Sequence, residues 1–265
     1  MGLLHSVLAV LSGGLVGFML GLIGGGGSII ATPLLLYIVG LHPHQAIGTG
    51  ALAVSVNAFA NFAGYARAGT VRWQSAVLFA GVGVIGAALG STLGKAFDGQ
   101  RLIFLFAILM VAVGVLMLRR AGRSVPAAAS ATPGGRAASQ PLLVIVAALT
   151  VGTLSGFFGI GGGFLVVPGL LFSTGMPMIY AVGSSLLSVG SFGLTTAINY
   201  ALSGLVDWRV AMEYIAGGIA GGMLGMRLAV SLAQRKAMLT QIFAGFVFAV
   251  AAYMLYRNAA AIRLG

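Results

Sequence analysis

Four glycines in a row, Gly24, Gly25, Gly26 and Gly27, followed by Ser28, interrupt an apolar stretch that would otherwise cross a membrane as one helix. The second half of the chain holds a counterpart in Gly159, Gly161, Gly162 and Gly163. Neither run carries a nucleophile, a base or a metal ligand. What both offer is backbone amide with no side chain in front of it, which an anion can approach closely. Irregular backbone at membrane depth is tolerated only where protein buries it or a watery cavity meets it. Two such breaks in matching positions point to a transport site near the bilayer midplane. Thr32-Pro33 reads as an N-cap followed by a first-turn proline, which would aim a helix N-terminus at the break.

Polar side chains follow each break. Thr49, Ser55, Asn57, Asn61 and Tyr65 lie along one apolar segment, and Asn57, Asn61 and Tyr65 share a face at a spacing of four. Ser184, Ser185, Ser188, Ser191, Thr195, Asn199 and Tyr200 lie along its counterpart. Uncharged donors of this kind can replace the water shell of an oxyanion, and each taken alone can equally bond a neighbouring helix. The set expected to bind substrate is therefore the two glycine runs with Ser28, together with Thr49, Asn57, Asn61, Ser184, Ser185, Ser188 and Asn199.

Other chemistry lacks its reagents. The chain has no cysteine and three acids, Asp98, Asp207 and Glu213, all expected in loops or within a turn of a helix end. A proton relay or cation site would want carboxylates at membrane depth. His5, His42 and His44 are terminal or in a loop, with no third ligand for a metal. No catalytic residue, no metal and no cofactor is expected, and the chain does not read as an enzyme.

The elements that must position these residues are transmembrane helices. The 265 residues are 59% hydrophobic and 6% charged, with a mean hydropathy of +1.08. Apolar runs long enough to span about 30 Å of hydrocarbon recur along the chain. The net charge of +11 comes from residues scattered at segment ends, so it fits orientation and anionic lipid and not nucleic acid. The N-terminus lacks the basic start of a cleavable signal and reads as a retained first helix. Three glycine rows at a spacing of four, Gly13/Gly17/Gly21, Gly86/Gly90/Gly94 and Gly217/Gly221/Gly225, read as close helix packing.

The chain is an internal duplication. An offset of 135 residues aligns "GLIGGGGSIIATP" with "GFFGIGGGFLVVP", "AIGTGALAV" with "AVGSSLLSV", Tyr65 with Tyr200, and Trp73 with Trp208, without a gap. Residues 1–118 form a first repeat, 119–140 an Arg- and Pro-containing linker, and 141–265 a second repeat. Each half reads as a helix (3–22; 141–158), the break, a short apolar piece (33–39; 168–173) and three longer helices. Those run 46–66, 74–94 and 102–118 in the first half, and 181–203, 208–229 and 238–256 in the second. The fold class is an all-α polytopic bundle of about eight to ten membrane segments. If the short piece crosses, the repeats are inverted; if it only re-enters, they are parallel. Either count places nine of the fourteen cationic residues on the linker's side, and the uncharged first helix tips the reading towards inversion.

The duplicated glycine motif with its downstream proline, the "AIGTG" and "AVGSS" openings, and the endings "GTVRW" and "GLVDW" together resemble the sulfite exporter TauE/SafE family. The resemblance covers nearly the whole chain. It implies a multi-pass permease of the bacterial inner membrane that exports sulfite or organosulfonates. The expected partners are a small anion and the lipid bilayer, and a homo-oligomer is left open. Gly25 faces Ile160 and Ser28 faces Gly163 in the alignment, so the two halves of a site would differ.

Overall fold

The computed structural model describes residues 3–121, 141–159, 163–232 and 245. Its helices are α1 (Leu3–Ile23), α2 (Gly26–Tyr37), α3 (Pro43–Arg67), α4 (Trp73–Ala96), α5 (Gly99–Ala121), α6 (Pro141–Phe158), α7 (Gly163–Thr174), α8 (Met178–Ala201) and α9 (Trp208–Leu232). Among them His5–Ile23, Pro43–Arg67, Trp73–Ala96 and Met178–Ala201 are long and apolar enough to cross a bilayer by themselves. Of the helix expected at 238–256 only residue 245 is described.

The repeat is written into the backbone. The glycines of positive φ among the described residues pair at the same offset: Gly24 with Gly159, Gly40 with Gly175, and Gly69 with Gly204. Yet the halves do not pack as separate bodies. Helix α1 of the first repeat lies along α9 of the second, and α4 lies along α6. The glycine rows make these seams. A Cβ on Gly13, Gly17 or Gly21 would run into the backbone of Tyr214, Gly218 or Gly222, and one on Gly90 or Gly94 into that of Thr153 or Phe157. Without a hydrophobic drive between helices in lipid, such backbone-to-backbone approach is what holds them.

The registers fix the symmetry. Along α1 and α9, contacting residues rise in number together, so these helices run parallel, as do α4 and α6. Along α3 and α8 they run in opposite senses: Gly48 meets Tyr200, Ser55 Oγ donates to the Gly190 carbonyl at 2.7 Å, and Gly183 meets Tyr65. Helices α3 and α8 are pseudo-equivalent and antiparallel, so the two-fold axis relating the repeats lies in the membrane plane. The repeats are inverted. Ser55 touches its own counterpart, Gly190, which puts that contact on the axis and halfway through the bilayer.

Inversion requires that α2 return across the membrane. The Tyr65 hydroxyl donates to the Gly21 carbonyl at 2.6 Å, which joins the C-terminal ends of α1 and α3 on one side. The chain between them, α2 and residues 38–42, therefore recrosses. Helix α5 starts beside α3, since a Cβ on Gly99 would lie 2.7 Å from Pro43 Cβ. One face, here the linker face, thus holds the ends of α3, α5 and α9 and the starts of α4, α6 and α8, and α1, running with α9, stops short of it.

The short helices begin earlier than the sequence suggested. Helix α2 starts at Gly26, directly after the reversal, and Pro33 sits inside it. Pro168 likewise sits inside α7. Thr32 is therefore not an N-cap. Glycine costs about 1 kcal/mol relative to alanine in a helix, whereas each unbonded amide in hydrocarbon costs several, so the helix resumes as soon as the turn permits.

Candidate functional site

The break itself is two residues, Gly24 and Gly25. Gly24 has φ +77°, and a Cβ there would lie 2.8 Å from Ser185 Oγ and 3.0 Å from Val182 Cα, so glycine is demanded by conformation and by space. Its amide continues α1 by donating to the Leu20 carbonyl at 2.8 Å. Gly159, at φ +66°, repeats this turn against Ile47. Gly25 is the N-cap of α2 and packs on the backbone of Gly163 and Phe164. Gly27 packs on the Val16 carbonyl and Leu20, whereas Gly26 has its nearest neighbour, Ile23, at 3.4 Å.

The N-termini of α2 and α7 meet. Ser28 and Gly163 are pseudo-equivalent, and a Cβ on Gly163 would lie 2.7 Å from Ser28 Oγ and 2.8 Å from Gly25 Cα. A residue against its own counterpart lies on the axis, so these two helix starts face each other at mid-membrane. All of the residues involved are buried. Ser28 Oγ donates to the Gly25 carbonyl at 2.7 Å, but no side chain caps α2. Outside the helices, no backbone acceptor among the described residues bonds the Gly25 amide. Two converging helix N-termini, each equivalent to about half a positive charge, make this junction favourable to a negative charge.

The structure thus brings Gly24, Gly25, Ser28, Gly163 and Ser185 together at one junction. Gly161 and Gly162 lie outside the described residues. The remaining expected residues disperse. Thr49 and Ser184, pseudo-equivalents, each accept a backbone amide from the opposite repeat: Asp207 N–H to Thr49 Oγ1 and Arg72 N–H to Ser184 Oγ, both at 2.9 Å. Asn57 and Asn61 point at Gly218 and Gly222 of α9, filling space those glycines vacate. Asn61 Nδ2 donates to the Asn57 carbonyl at 2.8 Å, while both polar atoms of the Asn57 side chain are buried without a partner. Ser188 Oγ is likewise buried and unpaired.

Asn199 lies far from the junction, at the C-terminal end of α8. There its Oδ1 accepts from Lys95 Nζ at 2.6 Å, and its Nδ2 donates to Ser91 Oγ at 2.7 Å. Ser203 Oγ also accepts from Lys95 Nζ, at 2.9 Å. Lys95 has no counterpart charge at position 230, so the repeat pattern gave no sign of this cluster.

Comparison with known proteins decides the family. The model for the sulfite exporter TauE/SafE family matches residues 9–254. The chain belongs to this family. A probable membrane transporter protein of Xylella fastidiosa (strain Temecula1 / ATCC 700964) is 55% identical over 253 residues, covering 95% of either chain. The probable membrane transporter protein YunE of Bacillus subtilis (strain 168) is 28% identical, covering 83% of this chain and 86% of its own. No solved structure matches. This TauE/SafE chain is accordingly a polytopic membrane transporter.

Proposed function

We propose that the chain is a secondary carrier that exports a small sulfur-containing anion, sulfite or an organosulfonate, across the bacterial inner membrane. The observation that carries this reading is the meeting of the N-termini of α2 and α7 at mid-membrane, with no side chain capping α2. A tetrahedral or pyramidal oxyanion presents several acceptors to such a junction and needs no cationic side chain to be held there. The buried junction is a closed arrangement, which opens to either side in turn as the α1·α9 and α4·α6 units shift against each other.

Anion chemistry also suits the energetics. With a negative interior, each negative charge that leaves gains about 2.3 kcal/mol per 100 mV, so export proceeds without a coupling ion. Cationic residues gather on the linker face, which the positive-inside bias assigns to the cytoplasm. The test is flux of labelled sulfite and labelled sulfoacetate in liposomes holding the purified protein, with and without an imposed potential. Saturable flux that follows the potential is the expected result. Absence of flux for both anions, or flux indifferent to the potential, removes the proposal.

A further inference from the structure

Positions 72 and 207 are pseudo-equivalents that do the same structural work with opposite charge. Each precedes an exposed tryptophan, Trp73 at 57% and Trp208 at 63% exposure, at the start of a membrane helix. Each donates its backbone N–H at 2.9 Å to a hydroxyl of the opposite repeat, Ser184 or Thr49. Each clamp adjoins a glycine turn: Ser185, next to Ser184, lies against Gly24, and Ile47, two residues from Thr49, lies against Gly159. The two loops thus stand on opposite faces, each beside one of the two glycine turns, where a way out of the central junction would open. Arg72 stands on the linker face and Asp207 on the other.

Their surroundings sharpen the difference. The Arg72 guanidinium lies 4.7 Å over the Tyr180 ring, a contact that leaves its charge intact. No carboxylate pairs with it among the described residues, and none of the three acids of the chain lies on its face. On the opposite face Arg209 is paired with Glu213 at 3.4 Å, and Asp207 Oδ1 caps α9 by accepting from Val210 N–H at 3.0 Å. A cap needs an acceptor oxygen and not a charge, since asparagine caps as well as aspartate. The cap itself therefore does not need the negative charge at 207, which adds only a small contribution through the dipole of α9.

We propose that Arg72 and Asp207 are the residues that polarise the path: Arg72 gathers the anion at the linker-side lip and Asp207 turns it away from the other, so that entry from the linker face is favoured. This rests on the anion reading above. A single charge about 8 Å from a monovalent anion changes its local concentration about 2-fold at a dielectric constant of ~80 and about 30-fold at ~20.

The experiment compares wild type, Arg72→Gln, Arg72→Lys and Asp207→Asn in membrane vesicles of either sidedness, with labelled sulfite as probe. The chain has no cysteine, so Ser139→Cys, in the linker, reports sidedness through an impermeant maleimide applied before the sulfite. Expected are a KM for anion presented at the linker face raised between about 2-fold and about 30-fold in Arg72→Gln, and restored in Arg72→Lys. Asp207→Asn lowers the KM from the opposite face by a factor in the same range. Both shifts fade as ionic strength rises. Equal KM values from both faces in wild type, or an Arg72→Gln shift that is the same from both faces, overturns the proposal while leaving the carrier reading intact. Absence of sulfite flux in the wild type instead sinks the carrier reading on which it depends.

Discussion

Adjacent glycines at the start of α2 should respond oppositely to the same added methyl. A Cβ at position 25 enters the Gly163 carbonyl and lies 2.7 Å from the Phe164 amide, and both neighbours are backbone, so no side chain can swing aside. The α2 and α7 starts must separate instead. Overpacking of this kind costs about 1 to 3 kcal/mol, which for a chain of this size is a fall in melting temperature of roughly 2 to 12 °C. At position 26 the nearest atoms, Ile23 Cβ and Cδ1, are at 3.4 Å, an ordinary contact, and alanine is the better helix former by up to about 1 kcal/mol. Gly26→Ala should therefore match or exceed the wild type in stability. The assay is thermal unfolding of the purified variants in detergent, followed by size-exclusion fluorescence, alongside flux in liposomes. Gly25→Ala should lose both stability and flux, and Gly26→Ala should keep both. Equal losses in the two variants, or a harmless Gly25→Ala, would falsify the head-to-head packing of α2 on α7.

Further expectations come from other pairs. Tyr65→Phe leaves the Gly21 carbonyl without its donor and should cost about 1 to 3 kcal/mol, whereas Tyr200→Phe removes a hydroxyl that has no partner and should be neutral or stabilising; unfolding of both variants checks the contrast. Gly221→Ala sets a methyl into the Gly14 carbonyl and should loosen the α1·α9 seam by about 1 to 3 kcal/mol, read as loss of monodisperse protein on heating. Asn199→Ala strips Lys95 of its shortest acceptor and Ser91 and Thr92 of a donor, and should cost about 1 to 3 kcal/mol without changing KM from the linker face.

Much of this architecture is legible in the sequence because the repeat doubles every signal. An offset of 135 residues, visible from Trp73 and Trp208 alone, recurs in all three pairs of positive-φ glycines among the described residues. The rows at Gly13, Gly86 and Gly217 read as seams, and they are seams, since small residues four apart mark close approach whatever the partner. What the rows do not show is which helix they meet. Exchange of α1 and α4 between repeats is a tertiary choice, invisible to a local pattern. The start of α2 was misplaced at Pro33 for a physical reason: four glycines suggest unwound chain in water, whereas in hydrocarbon unbonded amides cost more than glycine's poor helix propensity. Hydroxyl and amide side chains were the least legible part. Thr49, Ser184, Asn57 and Asn199 look alike as polar residues in apolar helices, yet two clamp loops, one fills the space beside a glycine and one holds a lysine.

The central claim is that the anion sits where α2 and α7 meet, and position 28 reports on it directly. The chain has no cysteine, so Ser28→Cys supplies a single thiol at the junction. Its rate of modification by a small thiol reagent, measured in proteoliposomes with and without sulfoacetate at concentrations that saturate flux, is the measurement to make. Protection that rises with sulfoacetate and saturates with the KM of transport is the predicted result. Modification that proceeds at the same rate while transport is saturated would contradict the account, because the anion would then be crossing by a path that avoids the junction.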